Sequence, residues 1–298
     1  MAETLHIYIH DRWRAAASSG TANLFNRMAK ALPGWRLVFH PDDPKELDRA
    51  EARGYGLFHM QEPTAPSILC LRRAYEYPFW RIERTNERWN FDVALATFQP
   101  DAESHSDMRR FCARWRRRVF PTATPRRGGF IFMPLQGHLS RHRSFQSMSP
   151  IEMIGATLAG DRRPIFATLH PKETYAEADL QALERLERAF PRFRVSRAGS
   201  DRLLAWCDMV VTQNSSLAFR GYLIEKPAVL FAGADFHHIA GSVPRDGLDD
   251  AFHLARETAP AFAAYVWWFW VRHAINAGSP DAEQQIRQRL ASHGWPVA

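Results

Sequence analysis

Short apolar runs rich in β-branched and aromatic residues alternate along the chain with stretches whose apolar positions recur every three or four residues. The first run, Leu5 to His10 (LHIYIH), precedes a Ser18-Ser19-Gly20-Thr21 turn and then Leu24, Met28 and Leu32 at helical spacing. That order predicts strand, loop and helix. After the Pro33-Gly34 break, Trp35 to His40 (WRLVFH) predicts a second strand and Tyr55 to Met60 (YGLFHM) a third. Residues 66 to 120 read as mostly helical, are dense in aromatic and arginine side chains, and end in RRFCARWRRRVF.

Pro121, Pro125 and Gly128-Gly129 interrupt this pattern, and a fresh strand, Phe130 to Leu135 (FIFMPL), follows. A lobe boundary is therefore expected near residue 125, giving lobes 1–125 and 126–298. The second half alternates more clearly. A helix near 150 to 159 leads to the strand PIFATLH and to a helix from about 178 to 190 with Leu180, Leu183, Leu186 and Phe190 on one face. A short helix RLLAWC, the strand DMVVTQ, the loop Asn214-Ser215-Ser216, the helix LAFRGYLI and the strand PAVLFA come next. Such alternation implies an α/β protein with parallel sheets, whose ligands sit beyond the carboxyl ends of the strands. Near the end, AFAAYVWWFWVRHAI predicts a helix with aromatics on most faces, expected to cross back between the lobes and suited to the core or to a membrane interface. Ser279-Pro280-Asp281 then caps a last helix carrying Ile286 and Leu290.

Composition narrows the setting. The three cysteines, Cys70, Cys112 and Cys207, lie far apart with no CxxC pair, which points to neither a disulfide framework nor a zinc ribbon and fits a reducing compartment. Glu3 stands where a secretory leader would carry positive charge, and no run approaches the ~18 apolar residues of a membrane span. A cytoplasmic protein, in solution or peripheral to a membrane, is expected. The net charge of +7 is carried mainly by arginine, the side chain best suited to bidentate contact with phosphate or carboxylate. Nucleic acid, acidic lipid and an anionic sugar donor are all compatible partners, although no nucleic-acid module is recognisable and that reading ranks last.

The common sequence signatures are missing: there is no GxxxxGK[ST] loop, GxGxxG, GxSxG, HExxH or DxD. His138 and His142 are four apart but have no evident third ligand for a metal. Three segments remain. In LHPKE (Leu169 to Glu173), at a strand end, His170 and Lys172 offer a donor and a cation to phosphate; the bland alternative is a solvated loop. In TQNSS (Thr212 to Ser216), Asn214, Ser215 and Ser216 either cap the following helix or bind an anion at its N-terminus. After Pro134-Leu135-Gln136, a loop with His138, Arg141, His142 and Arg143 is either a basic surface or a wall of the interlobe cleft. The run from Arg109 to Arg118 reads as an exposed helix face, or as a surface for acidic lipid headgroups.

In order, PFWRIERTNERW, FMPLQ, LHPKE and DMVVTQNSSLAFRGYLIEKPAVLFAGADF resemble the capsular polysaccharide biosynthesis proteins related to bacterial Kdo transferases, over roughly residues 75 to 275. The resemblance implies two Rossmann-like lobes of GT-B type and a metal-independent glycosyltransferase. Its donor would be a sugar nucleotide, such as a CMP-activated acidic sugar like Kdo, and its acceptor a glycan or lipid-linked glycan at the inner membrane face. It places His170 and Lys172 at the donor phosphate and Ser215 and Ser216 beside it; Gln136 and Asn214 join the candidate site from the same motifs, as does Arg220, which stands where family members often carry a glutamate. No carboxylate follows the PLQ element between Gly137 and Ser140. The catalytic group is therefore sought in Glu62 and Asp11, at predicted strand ends of the first lobe, and in His138. The alternative reading is a non-catalytic glycan- or nucleotide-binding protein of the same assembly system.

Overall fold

The computed structural model describes residues 3–100 and 105–297. Twelve strands follow in chain order: β1 (Thr4–Tyr8), β2 (Arg36–His40), β3 (Gly56–His59), β4 (Ile68–Arg73), β5 (Phe79–Glu83), β6 (Ile131–Pro134), β7 (Ile165–Thr168), β8 (Phe193–Val195), β9 (Met209–Thr212), β10 (Ala228–Leu230), β11 (Gly241–Ser242) and β12 (Ile275–Asn276). They form two sheets of six, ordered β12-β5-β4-β3-β1-β2 and β11-β10-β9-β6-β7-β8. The chain divides into two units, Met1–Ala96 with Trp268–Ala298, and Thr97–Trp267.

This division differs from the boundary expected near residue 125, and the reason lies in the tail. In the final helix, Ala282–Ser292, the residues Ala282, Ile286 and Leu290 are buried at four-residue spacing. Ile286 and Leu290 join the first sheet's core, which includes Leu5, Ile7, Leu24, Met28, Leu57 and Trp80. Arg27 reinforces the contact by pairing with Glu283 at 2.7 Å. Trp295 stacks parallel to Trp35, with ring centroids 6.2 Å apart. The predicted helix 261–275 is in fact a short α-helix, Phe262–Trp267, then a π-helical turn, Trp268–Arg272, then β12. Trp270 in that turn is fully buried, stacks on Phe79 at 4.7 Å and donates Nε1–H to Ala74 O. Without the first sheet these aromatic and aliphatic faces would stand in water.

Residues 66–120 are not mostly helical. Their first third supplies β4 and β5, which pair antiparallel, with β12 antiparallel on the outside. All five residues of β5 are buried, as are the first four of β4. A strand covered on both faces shows no period-two alternation, so the sequence pattern hid it. The arginine-rich helix, His105–Val119, forms as expected.

The six strands of the second unit's sheet pair wholly in parallel. Its core joins Ile131, Met133, Ile165, Ala167, Met209, Val211 and Val229 to the covering helices. Pro150–Gly160 begins with a capping box, in which Ser149 accepts from Glu152 N–H and Glu152 returns a bond to Ser149 N–H. In the helix Glu177–Ala189 only Leu183 of the expected apolar face is fully buried, and Phe190 is 41% exposed. No helix among the described residues is long and apolar enough to cross a membrane.

Candidate functional site

In chain order the second sheet reads sixth, fifth, fourth, first, second, third, so its connections reverse direction between β6 and β9. In open α/β sheets ligands occupy the crevice beyond the strand carboxyl ends at such a reversal. Thr212, the last residue of β9, donates Oγ1–H to Pro134 O at the end of β6, 2.9 Å away, and Leu135 N–H bonds to Thr168 O at the end of β7. Three strand ends are thereby laced together in the order β9, β6, β7. LHPKE and TQNSS thus share one sheet edge, but they are not on adjacent strands as their succession in the chain suggested, because β6 separates them.

The loop after β6 is pinned from below. Asp179, buried in the first turn of its helix, accepts from Leu139 N–H, Ser140 N–H and Ser140 Oγ–H at 3.2, 3.1 and 2.6 Å. This holds exposed His138 in the left-handed region at φ 59°, a conformation that costs free energy for a residue with a Cβ. Gln136 is half-buried, and its Oε1 is buried with no hydrogen-bond partner. At Gly137 a Cβ would collide with Glu173 Oε2, so the Glu173 carboxylate rests against this backbone. Glu173, from LHPKE, thus brings a carboxylate beside Gly137, in a stretch that has none of its own from Gly137 to Ser140.

The LHPKE turn is self-supporting. Tyr175 OH accepts from His170 N–H at 2.7 Å, and His170 accepts from Lys172 N–H through Nδ1 and from Glu173 N–H through its carbonyl. His170 and Lys172 are both exposed. Across the edge, residues 145–147 lie along the chain after β10, through Ser147 N–H to Phe231 O and Gly233 N–H to Phe145 O. Arg143 stacks on Phe145 at 4.8 Å, yet its Nε and Nη2 are buried without acceptors. Burial lowers its guanidinium below the usual arginine range, with Glu173 opposing that shift and Arg141 adding to it.

At the end of β9, Gln213 is almost wholly buried, donates Nε2–H to Met148 O and keeps an unpartnered Oε1. Asn214 ties the loop after β10 by donating to Gly233 O at 2.9 Å, a structural use of its amide. Ser215 caps the next helix through Leu217 N–H. That helix, Ser216–Tyr222, has only seven residues, so hydroxyls rather than a long helix dipole are what it offers an anion. Arg220 pairs with Asp201 at 3.0 Å and stacks over Phe120, which commits its guanidinium to packing.

The first-unit candidates follow adjacent strands at a second reversal point, since β1 lies between β2 and β3. Asp11 follows β1, and His59 and Glu62 close and follow β3. Asp11 is 77% exposed and pairs with Arg14. Glu62 accepts from Thr85 Oγ1–H and Asn86 N–H, bracing the turn after β5. His59 has its pKa lowered by burial. Elsewhere in this unit Glu83, Asp92 and His293 bring ligand atoms within 4.8 Å of one another. Arg289 occupies Asp92, Arg84 and Ile82 O occupy the two His293 nitrogens, and burial lifts the Glu83 carboxyl to about 7. Such a cluster suits a proton better than a metal. His142 engages Gln146 O through Nε2 at 2.6 Å.

Glu173 and Gln213 lie inside LHPKE and TQNSS, and Arg143 inside the basic loop, without being marked out from their neighbours there, and Asp179 belongs to none of these motifs. The available signal was local: Glu173 closes the only His-Pro-Lys-Glu at a strand end, and Arg143 sits among four basic or imidazole residues. Which of them is buried depends on the chain after β10, far away in sequence.

No protein-family model matches the chain, and no curated protein matches it in sequence. Solved structures are similar to it in fold. The β-Kdo 2,7 transferase of Thermosulfurimonas dismutans KpsC superposes with a TM-score of 0.55 at 13% identity, over 97% of this chain and 99% of that one. The β-Kdo 2,4 transferase of the same KpsC gives 0.45 at 10% identity, over 89% of each chain. The first of these overlaps, together with the two sheets above, establishes that the chain has the GT-B-type α/β fold found in a Kdo transferase.

Proposed function

We propose that the protein is a glycosyltransferase of surface-polysaccharide synthesis that binds a sugar nucleotide at the carboxyl edge of the second sheet. The observation carrying this reading is the set of unspent polar atoms gathered at the β6/β9 reversal: Gln136 Oε1, Gln213 Oε1, and Arg143 Nε and Nη2. Buried groups of this kind are costly unless a ligand or water completes them. Arg143, Lys172 and the Ser215 and Ser216 hydroxyls would hold the phosphate and stabilise it as the leaving group. Glu173, fixed against Gly137, would take the proton of the acceptor hydroxyl, with His138 as its neighbour on the loop. Two cationic side chains would then do what a divalent ion does in other transferases, and the enzyme would work without metal.

The finer reading, a CMP-linked acidic sugar such as Kdo passed to a glycan or lipid-linked acceptor, accords with the similarity to KpsC. Its test is turnover of CMP-, UDP- and GDP-sugars with and without a chelator. Arg143→Gln is expected to lower kcat/KM on the order of 100-fold, and Glu173→Gln to lower kcat at least as far with donor binding kept. Chelation should change nothing. Nucleotide binding without turnover of any donor would instead favour the non-catalytic binding role.

A further inference from the structure

The helix His105–Val119 holds six arginines against one aspartate, a formal +5 of the chain's +7. Arg109, Arg110, Arg114, Arg116, Arg117 and Arg118 are all exposed, and among the described residues only Arg110 has an acidic partner, Asp107. The opposite face is fixed: Met108, Phe111 and Trp115 are buried, Phe111 meets Trp267 edge-on at 5.2 Å, and Cys112 reaches Ala263 O. The charge is therefore carried on a rigid support. Arg110, Arg114 and Arg117 fall on one stripe, spanning ~10 Å of helix axis, and line a cavity of about 510 Å³ with Phe111, Trp267, Ala113 and one carboxylate, Asp107, so that the lining carries a net +2. The Trp267 Nε1–H is without an acceptor.

We infer that this cavity and the surrounding arginine face bind the phosphate headgroups of an anionic lipid bilayer. Guanidiniums beside the half-buried Trp267 side chain match a phosphodiester at a lipid–water boundary, where indoles are favoured, the chemistry of a phospholipid headgroup. A polynucleotide is a poorer fit. The rings of Phe111 and Trp115 are buried and cannot stack on bases, and the outward face has no amide side chain with which to read them. The inference does not depend on the transferase reading.

The test is sedimentation of the full chain with phosphatidylcholine vesicles, with and without phosphatidylglycerol, across a salt series. Wild type should pellet only with the anionic vesicles, and less as salt rises. Arg110→Gln with Arg114→Gln and Arg117→Gln should weaken binding ~100-fold, whereas Arg185→Gln with Arg188→Gln and Arg202→Gln, an equal charge change elsewhere, should weaken it far less. Replacing the same three helix arginines by lysine should keep most of the binding, which separates lost charge from lost fold. Equal losses in the two glutamine sets, or no pelleting at physiological salt, would overturn the inference. So would thermal stabilisation by glycerol phosphate without vesicle binding, which would mark a site for soluble phosphate, or equally tight binding of a nucleic-acid duplex.

Discussion

Asp179 and Glu83 are both buried carboxylates, and their surroundings treat them oppositely. Asp179 receives three hydrogen bonds from the loop after β6, so Asp179→Ala would strand two backbone N–H groups and a hydroxyl. It is expected to cost roughly 2–3 kcal/mol in denaturant unfolding and to weaken donor binding by freeing His138 and Gln136. Glu83 receives one bond, from Asp92 N–H, and its Oε1 has no partner, so burial dominates and its pKa rises from 4.5 to about 7. Between those values the folded protein holds a proton that the unfolded chain has lost. Stability should therefore fall as pH rises from about 4.5 to 7, by at most roughly 3 kcal/mol from this group, and level off above. His6 and His273, both lowered to about 4 with burial as the leading cause, tilt stability the other way as pH falls below 6.5. The Glu83 contribution is thus read as the difference between wild type and Glu83→Gln, which should lack the decline toward neutral pH. An identical pH slope in both proteins would refute this assignment.

Local chemistry was legible in the elements that carry their own signal. Ser149 with Glu152 ahead of an apolar run announced the helix Pro150–Gly160, and Ser149→Ala should cost about 1 kcal/mol by chemical denaturation. The predicted strands around β1, β2, β3, β6, β7, β9 and β10 all formed, because each is a short apolar run closed by a turn residue. What stayed hidden depends on distant partners. β4 and β5 show no alternation because both faces are covered. β8, β11 and β12 have three residues or fewer and are strands only by virtue of their neighbours. The candidate site divides in the same way. His170, Lys172, Ser215 and Ser216 stood out because strand ends and hydroxyl clusters are local patterns. The burial of Arg143 and the approach of Glu173 to Gly137 are tertiary facts that no spacing encodes.

At the scale of the whole molecule, the chain leaves its first unit at Ala96 and returns to it at Trp268, so the carboxyl-terminal helix completes a core begun by β1. Leu290→Ala should consequently destabilise the protein by about 2–5 kcal/mol although it lies eight residues from the end of the sequence, as urea unfolding would show. The second unit is one continuous segment, Thr97–Trp267, and it carries the reversal point beside which the unspent polar groups lie. The central claim is that a sugar nucleotide binds there. Thermal stabilisation by CMP, CDP, UDP and GDP, measured on wild type and on Arg143→Gln, tests it most directly. The account predicts that one nucleotide, at 100 times its Kd, stabilises wild type by about 2.7 kcal/mol, and that Arg143→Gln abolishes most of this gain. Stabilisation by none of them, or an undiminished gain in Arg143→Gln, would contradict it.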